Sequence, residues 1–390
     1  MSQYGRLVVR ALGLSLGPAC ALGLARFAYA LLLPAMRAAL DWSFAIAGAM
    51  NAANALGYLV GALLAARLAT RFGARNVFLF GLAGTAITVL LSAATASTPL
   101  LLVLRLLSGI AGAATFVLGG ALVAKLGEGL TGRRAGLLLG CYFGGSGIGI
   151  FCSAVALPPL LGALDPATGW RWGWVVLGVL AGFAALGAIP AVLRSPEPVT
   201  ERGRGRWPVA KLAPLLLAYT LFGVGYIAYM TFIVAFLRDA GRSTAEVTVF
   251  WAVLGLVSIG SGFLWGPPLG AWSGGRGPAI VLSVVTVGAA IPLLSASAAM
   301  AIGSAVVFGV AFLVVAAAMT AVAQRIVPAH QLTAAIGGLT TAFALGQCLG
   351  PVLAGVLSDS ADGVRAGLLL SAVILLIAVP IAAAQRQHTR

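Results

Sequence analysis

Apolar residues come in long runs broken by short polar segments containing Gly, Pro and Arg. The runs lie near 11–34, 44–66, 76–95, 99–124, 135–159, 173–193, 211–236, 246–268, 278–294, 298–323, 333–357 and 366–385. A helix needs roughly 20 apolar residues to cross about 30 Å of hydrocarbon, and the runs are of that order. They are continuous rather than alternating with a period of two, so they predict helices and not the strands of a barrel. The first run is longer than the roughly 7–15 residues of a signal-peptide core. It also carries Pro18 and Arg26 inside it, and therefore reads as a span. The pattern predicts twelve membrane-spanning helices.

Composition removes the alternatives. Charged residues make up 8% of the 390 and hydrophobic ones 61%, where a soluble domain carries about 25% charge. A water-facing globule and a disordered chain are excluded, and four cysteines are too few for a disulfide framework. All four, Cys20, Cys141, Cys152 and Cys348, fall in spans, where a thiol behaves as a small apolar group.

The formal charge of +15, from 24 Lys and Arg against 9 Asp and Glu, would suggest nucleic acid in a soluble protein. Here the basic residues fall in short loops, so the charge is a topology signal and no nucleic-acid partner is expected. With both termini placed in the cytoplasm, 17 basic residues fall inside, including Arg202, Arg204, Arg206 and Arg390. Five fall outside, namely Arg37, Arg171, Arg238, Arg242 and Arg365. The expected location is therefore the cytoplasmic (inner) membrane with both termini cytoplasmic. The remaining two, Arg26 and Arg105, lie within spans.

The segment 194–210, RSPEPVTERGRGRWPVA, divides the spans six and six. It reads as a cytoplasmic linker between a bundle at 1–193 and a bundle at 211–390. A shift of 200 residues sets Gly23, Ala28, Tyr29, Ala35 and Ser43 on Gly223, Ala228, Tyr229, Ala235 and Ser243, with Arg26 opposite Tyr226. Parallel repeats of this kind organise two-domain secondary transporters.

Two short motifs and several longer stretches carry a family resemblance. LATRFGAR (Leu68 to Arg75) and RLLSGIAGA (Arg105 to Ala113) look like the loop motif and the fourth-helix arginine motif of the major facilitator superfamily. GLARFAYALLLPAM (Gly23 to Met36), NAANALGYLVGAL (Asn51 to Leu63), GCYFGGSGIGI (Gly140 to Ile150), GVGYIAYMTFIVAFLRDAG (Gly223 to Gly241) and GQCLGP (Gly346 to Pro351) resemble its YbfB/YjiJ-type branch. The resemblance implies the major facilitator fold, an all-α membrane protein of two pseudo-symmetric six-helix bundles. It also implies gating roles for Arg71, Gly73 and Arg75, and a central cavity lined by the first and fourth helices. The loop motif departs from the family pattern, with Ala66, Thr70 and Ala74 where it has Gly, Asp and a basic residue.

Gly144, Gly145 and Gly149 in the fifth span, and Gly346, Gly350 and Pro351 in the eleventh, put small residues at spacings that let helix backbones touch. They read either as a gliding interface between bundles or as static packing.

A charge inside the membrane costs several kcal/mol and marks a pathway or a partner. Arg26 and Arg105 fall at similar depths below the outer ends of their runs, and none of the nine acids falls in mid-span. Two uncompensated guanidiniums facing one cavity would take a carboxylate or phosphate. The competing reading has one or both arginines snorkelling to headgroups or bonding exposed carbonyls. Tyr29, Asn51, Asn54, Tyr58, Tyr219, Tyr226, Tyr229 and Gln347 complete the candidate substrate-binding set, with Phe222, Thr320 and Gln324 as further wall residues. The two histidines, His330 and His388, fall in a loop and the tail, and no metal-ligand, catalytic or Walker-type pattern occurs.

The expected function is a secondary active or facilitative transporter of a small solute, in the first place an organic anion, by alternating access. It has no enzymatic activity, cofactor or obligate protein partner. The alternative is a broad-specificity efflux pump for apolar or amphipathic compounds. More remote is a non-transporting membrane sensor or lipid-modifying enzyme.

Overall fold

A computed structural model describes residues 2–198 and 207–386. Glu201, Arg202, Arg204, Arg206, His388 and Arg390 lie outside the described residues, as does the 199–206 part of the 194–210 segment. Among the described residues, twelve helices are long and apolar enough to span a bilayer. They are α1 Gln3–Leu40, α2 Phe44–Phe72, α3 Ala74–Leu91, α4 Thr98–Leu126, α5 Gly132–Ala163, α6 Gly169–Leu193, α7 Val209–Asp239, α8 Thr244–Ala271, α9 Arg276–Leu294, α10 Ala298–Ile326, α11 Ala334–Ser358 and α12 Val364–Ala383. Helices α1–α6 pack as one bundle and α7–α12 as the other.

The two bundles repeat each other in detail. A methyl on Gly145 or Gly149 of α5 would overlap the Ser15 or Ala19 carbonyl of α1, and one on Gly346 or Gly350 of α11 would overlap the Thr220 or Val224 carbonyl of α7. At the 200-residue shift of the sequence repeat, Ser43 and Ser243 cap α2 and α8, each accepting from an amide three residues on at 3.2 Å.

The small residues divide their labour by face. Gly145, Gly149, Gly346 and Gly350 seat helices within a bundle, whereas Gly144 and Gly147 meet Ile259 and Gly255 of α8, and Gly48 meets the Pro351 carbonyl of α11. Only the second group lies between bundles, and it pairs α5 with α8 and α2 with α11.

Contacts between bundles close the end away from the chain termini. The Asp359 carboxylate accepts from the Phe44 and Ala45 amides at 2.7 and 3.0 Å, placing the C-terminus of α11 on the N-terminus of α2. The unpaired N–H groups and positive dipole end of α2 favour an anion there. Beside it, Phe44 lies under the Arg37 guanidinium at 3.9 Å and edge-on to Phe232 of α7 at 6.1 Å.

Where Thr70 replaces the loop-motif acid, its hydroxyl turns back to the Arg67 carbonyl at 2.8 Å. The carboxylate at this junction comes instead from Glu197, just beyond α6. It accepts from Ala74 N at 2.9 Å and pairs with Arg75 Nε at 2.8 Å. Gly73, at φ +83°, makes the tight turn from α2 into α3. Arg71 lies over its neighbour Phe72, 5.2 Å from the ring centre.

Candidate functional site

Irregular backbone shapes the centre of the molecule. Ala19–Phe27 of α1 winds as a π-helix, with the Ala28 amide bonded to the Gly23 carbonyl five residues back at 3.0 Å. Such wide turns occur at functional sites, because they re-aim a side chain that a regular helix would send elsewhere. Arg26 sits in the last turn of this one. Across from it α10 breaks after Gly309 and passes through a 3₁₀ turn at Phe312–Val314. The carbonyls freed by the break are not orphaned, since Ser258 donates to Gly309 O at 3.2 Å and Trp265 to Val310 O at 2.8 Å.

Between these segments lies a cavity of about 300 Å³. Arg26, Phe27, Tyr58 and Phe116 line it from the first bundle, and Tyr219, Phe222, Tyr226, Phe312, Phe343 and Gln347 from the second. Phe27 and Phe312 meet edge-on at 5.9 Å across the bundles. Half-buried Thr320, Ile336 and Thr340 extend the wall toward the end that carries the chain termini, where α10 joins α11. The cavity is therefore sealed at the far end and reaches toward the near one.

Arg26 is 2% exposed, and its Nε and Nη2 have no hydrogen-bond partner among the described residues. Its guanidinium carbon lies 5.5 Å from the centre of the Tyr58 ring. The described ion pairs join Arg75 to Glu197, Lys125 to Glu128 and Arg242 to Glu246, so none reaches Arg26. Gln347 donates to the Tyr226 hydroxyl, and its Oε1 is a third unpartnered atom in the same cavity.

Tyr219, Phe222, Tyr226 and Phe343 form a stack on the opposite wall. Tyr219 and Phe343 are 4.5 Å apart at 10°, Phe222 and Tyr226 4.7 Å apart at 13°, and Tyr226 and Phe343 5.6 Å apart at 15°. Phe343, Phe312 and Phe116 were not singled out by sequence pattern, because one Phe within a continuous apolar run carries no periodic signal.

Arg105 departs from its expectation of a second cavity arginine. Its guanidinium donates to the Ala25 carbonyl, to Met50 O at 3.4 Å and to Asn51 Oδ1 at 3.2 Å, and it lies over the Tyr29 and Trp174 rings at 5.2 and 5.6 Å. It ties α1, α2 and α4 together as the carbonyl-bonding alternative describes. The two arginines do sit at similar depth, since Arg105 reaches the carbonyl of Ala25, the neighbour of Arg26; they differ in that Arg26 lines the cavity and Arg105 does not.

Five other expected wall residues also lie off the cavity. Asn54 donates to Arg105 O at 3.1 Å. Asn51 completes the Arg105 network and bonds Thr231 of α7 at 2.7 Å. Tyr29 donates to Ala47 O at 2.8 Å, and Tyr229 meets Ser304 Oγ at 2.5 Å. Gln324 is exposed. The four buried residues bond neighbouring helices and do not line the cavity.

Comparison with known proteins bears on this geometry. The family described as uncharacterised MFS-type transporter YbfB matches residues 18–383. The chain belongs to this family of the major facilitator superfamily. It is an integral membrane transporter rather than an enzyme.

Among relatives, a chloramphenicol resistance protein of Streptomyces lividans is 30% identical over 271 residues, covering 68% of this chain and 67% of that protein. The MFS transporter cpaT of Aspergillus oryzae is 29% identical over 151 residues, 39% of this chain and 29% of its own length. Among solved structures, a bacterial homologue of the human lysosomal transporter Spinster, inward-facing and occupied, superposes with a TM-score of 0.73 at 18% identity, covering 100% of this chain and 98% of that one. The nucleoside transporter NupG follows at 0.69 and 13%, covering 97% and 98%. The human organic anion transporter MFSD10 follows at 0.66 and 17%, covering 98% and 100%. At these identities the likeness is one of fold.

Proposed function

We propose that the transporter carries a small organic anion held at Arg26. The two bundles, at 1–193 and 211–390 with a linker at 194–210, rock so that the cavity opens alternately to either side of the cytoplasmic (inner) membrane. Both termini are then cytoplasmic and the state described above is inward-facing. The observation that carries this reading is a buried guanidinium in a largely apolar cavity with two unpartnered donors and no carboxylate nearby. A buried charge of this kind is costly unless a counter-ion arrives, and the transported anion is that counter-ion. No acid lines the cavity, so transport is by anion exchange or facilitated diffusion, or any proton travels on the substrate or on an acid outside the cavity.

The test is counterflow of radiolabelled organic anions in proteoliposomes with the natural protein, Arg26→Lys and Arg26→Gln. Arg26→Lys keeps the charge but loses the fork and retains partial exchange, while Arg26→Gln loses it. Undiminished exchange by Arg26→Gln overturns the proposal. Tags at both chain ends and in the linker are expected to report the cytoplasmic side, and any one of them alone appearing outside would break the twelve-span count.

The second reading, efflux of apolar or amphipathic compounds, is favoured by the aromatic wall and by the S. lividans relative, whose name records chloramphenicol resistance. Export of neutral amphiphiles that survives Arg26→Gln would select it.

A further inference from the structure

We infer that the cavity takes a planar aromatic monocarboxylate that also carries a neutral hydrogen-bond donor, such as a phenolic hydroxyl or an aryl amine. This rests on the anion reading above and narrows it to a substrate class. Four observations converge.

The first is which atoms of Arg26 are free. Nε and Nη2 are the two donors on one edge of the guanidinium, and both lack partners. That edge presents two parallel N–H groups, whose spacing matches the two oxygens of a carboxylate. A single-point acceptor would leave one of them unpaired and buried, at a cost.

The second is the complementary orphan. The Gln347 amide nitrogen is engaged with Tyr226, which leaves Oε1 as a buried acceptor in the same cavity. A ligand that satisfies it brings an N–H or O–H. With Arg26 uncompensated, an ammonium would add a second buried cation with no acid on the wall. The donor is therefore neutral, and the ligand's charge is the single negative one that Arg26 matches.

The third is the wall itself. Tyr219, Phe222, Phe343 and Tyr226 lie within 10–15° of parallel in the paired contacts that link them, and all four line the cavity. Parallel rings extend by offset stacking, so a flat aromatic body continues the series where a puckered ring cannot.

The fourth is size. The cavity of about 300 Å³ is roughly twice the ~150 Å³ that accommodates one benzene ring. One substituted ring or two fused rings fill it.

The experiment is equilibrium binding to the purified full-length protein in nanodiscs. The probes are 4-hydroxybenzoate, 4-acetylbenzoate, benzoate, cyclohexanecarboxylate and phenol. Expected is 4-hydroxybenzoate about tenfold tighter than benzoate, benzoate about three- to tenfold tighter than cyclohexanecarboxylate, and no saturable binding of phenol. Gln347→Leu brings the hydroxybenzoate-to-benzoate ratio near one. Phe343→Leu does the same for benzoate against cyclohexanecarboxylate.

Carboxylates that bind through Arg26 with no aromatic preference, or 4-acetylbenzoate outranking 4-hydroxybenzoate, overturn this inference and leave the anion reading standing. Carboxylate binding unchanged in monodisperse Arg26→Gln overturns the anion reading itself. Failure of every aromatic carboxylate to bind the natural protein overturns the inference as well.

Discussion

Arg26 on α1 and Arg105 on α4 are 2% and 1% exposed within the same bundle, yet they do opposite things. Arg105 is surrounded by acceptors and two ring faces, and its guanidinium joins three helices. Arg26 faces a void, with Tyr58 near its cation and two donors unused. Burial is common to both, so burial does not mark the functional residue. On the reading proposed above, unmet hydrogen-bonding capacity at a charged group that lines a cavity does, because a buried charge without a partner is costly.

The sharpest way to break this comparison is to remove each charge in turn. Arg105→Met leaves Asn51 Oδ1 unpaired and takes a donor from the Ala25 and Met50 carbonyls, and is expected to lower stability by about 3 kcal/mol, read as loss of monodisperse protein or early thermal unfolding. Arg26→Met deprives no protein group of a hydrogen-bond partner and is expected to leave stability unchanged or raise it. Equal destabilisation by both variants would show that Arg26 is structural too.

A second expectation concerns ligand rather than fold. Arg26→Gln should weaken carboxylate binding by about 2–3 kcal/mol, roughly thirty- to a hundredfold, measured by titration in nanodiscs. The same measurement on a mild Arg105→Lys variant should move far less, since Arg105 does not line the cavity. A larger effect at Arg105 would reverse the two assignments.

Next in size is Asn51, which links the Arg105 network to the other bundle. Asn51→Ala removes both the Arg105 contact and the Thr231 bond and is expected to cost about 1–2 kcal/mol. Part of that loss should appear as opening of the far end, read by spin-label distances between α2 and α7. An unchanged distance distribution would mean that the network stabilises one bundle without closing the other onto it.

The smallest effect is expected at Asp359, which caps α2 across the bundles from an exposed position. Asp359→Asn keeps the shape but removes the charge, at about 0.5–1 kcal/mol, and should shift the same distances slightly. A shift exceeding that of Asn51→Ala would place the main latch at the rim instead of in the buried network.

Much of this was legible before any coordinates. Long apolar runs, a six-and-six division and a 200-residue repeat led to the helix count, the two bundles and the pairing of Arg26 with Tyr226, both of which line the cavity. Tyr58, Tyr219 and Gln347 were also picked out by type and spacing. The helix ends were less legible, because α1 runs on past its apolar stretch through Arg37 to Leu40 and stops where Asp41 turns left-handed at φ +51°. The roles of Glu197 and Asp359 left no trace in the pattern, since each meets backbone amides far away in the chain.

The sequence by itself determined that this chain spans a membrane with twelve helices and that two arginines lie buried among them. Lipid leaves helices as the way to satisfy a continuous apolar backbone, and hydrophobicity is a property of the residues in order. Only the tertiary structure decided which arginine is free. Hydrogen-bond satisfaction depends on where carbonyls of other helices fall, and that follows from a π-turn in α1, a break in α10 and glycine seams that set how close the helices come. The Ala25 and Met50 carbonyls happen to reach Arg105, and no acceptor reaches the free edge of Arg26.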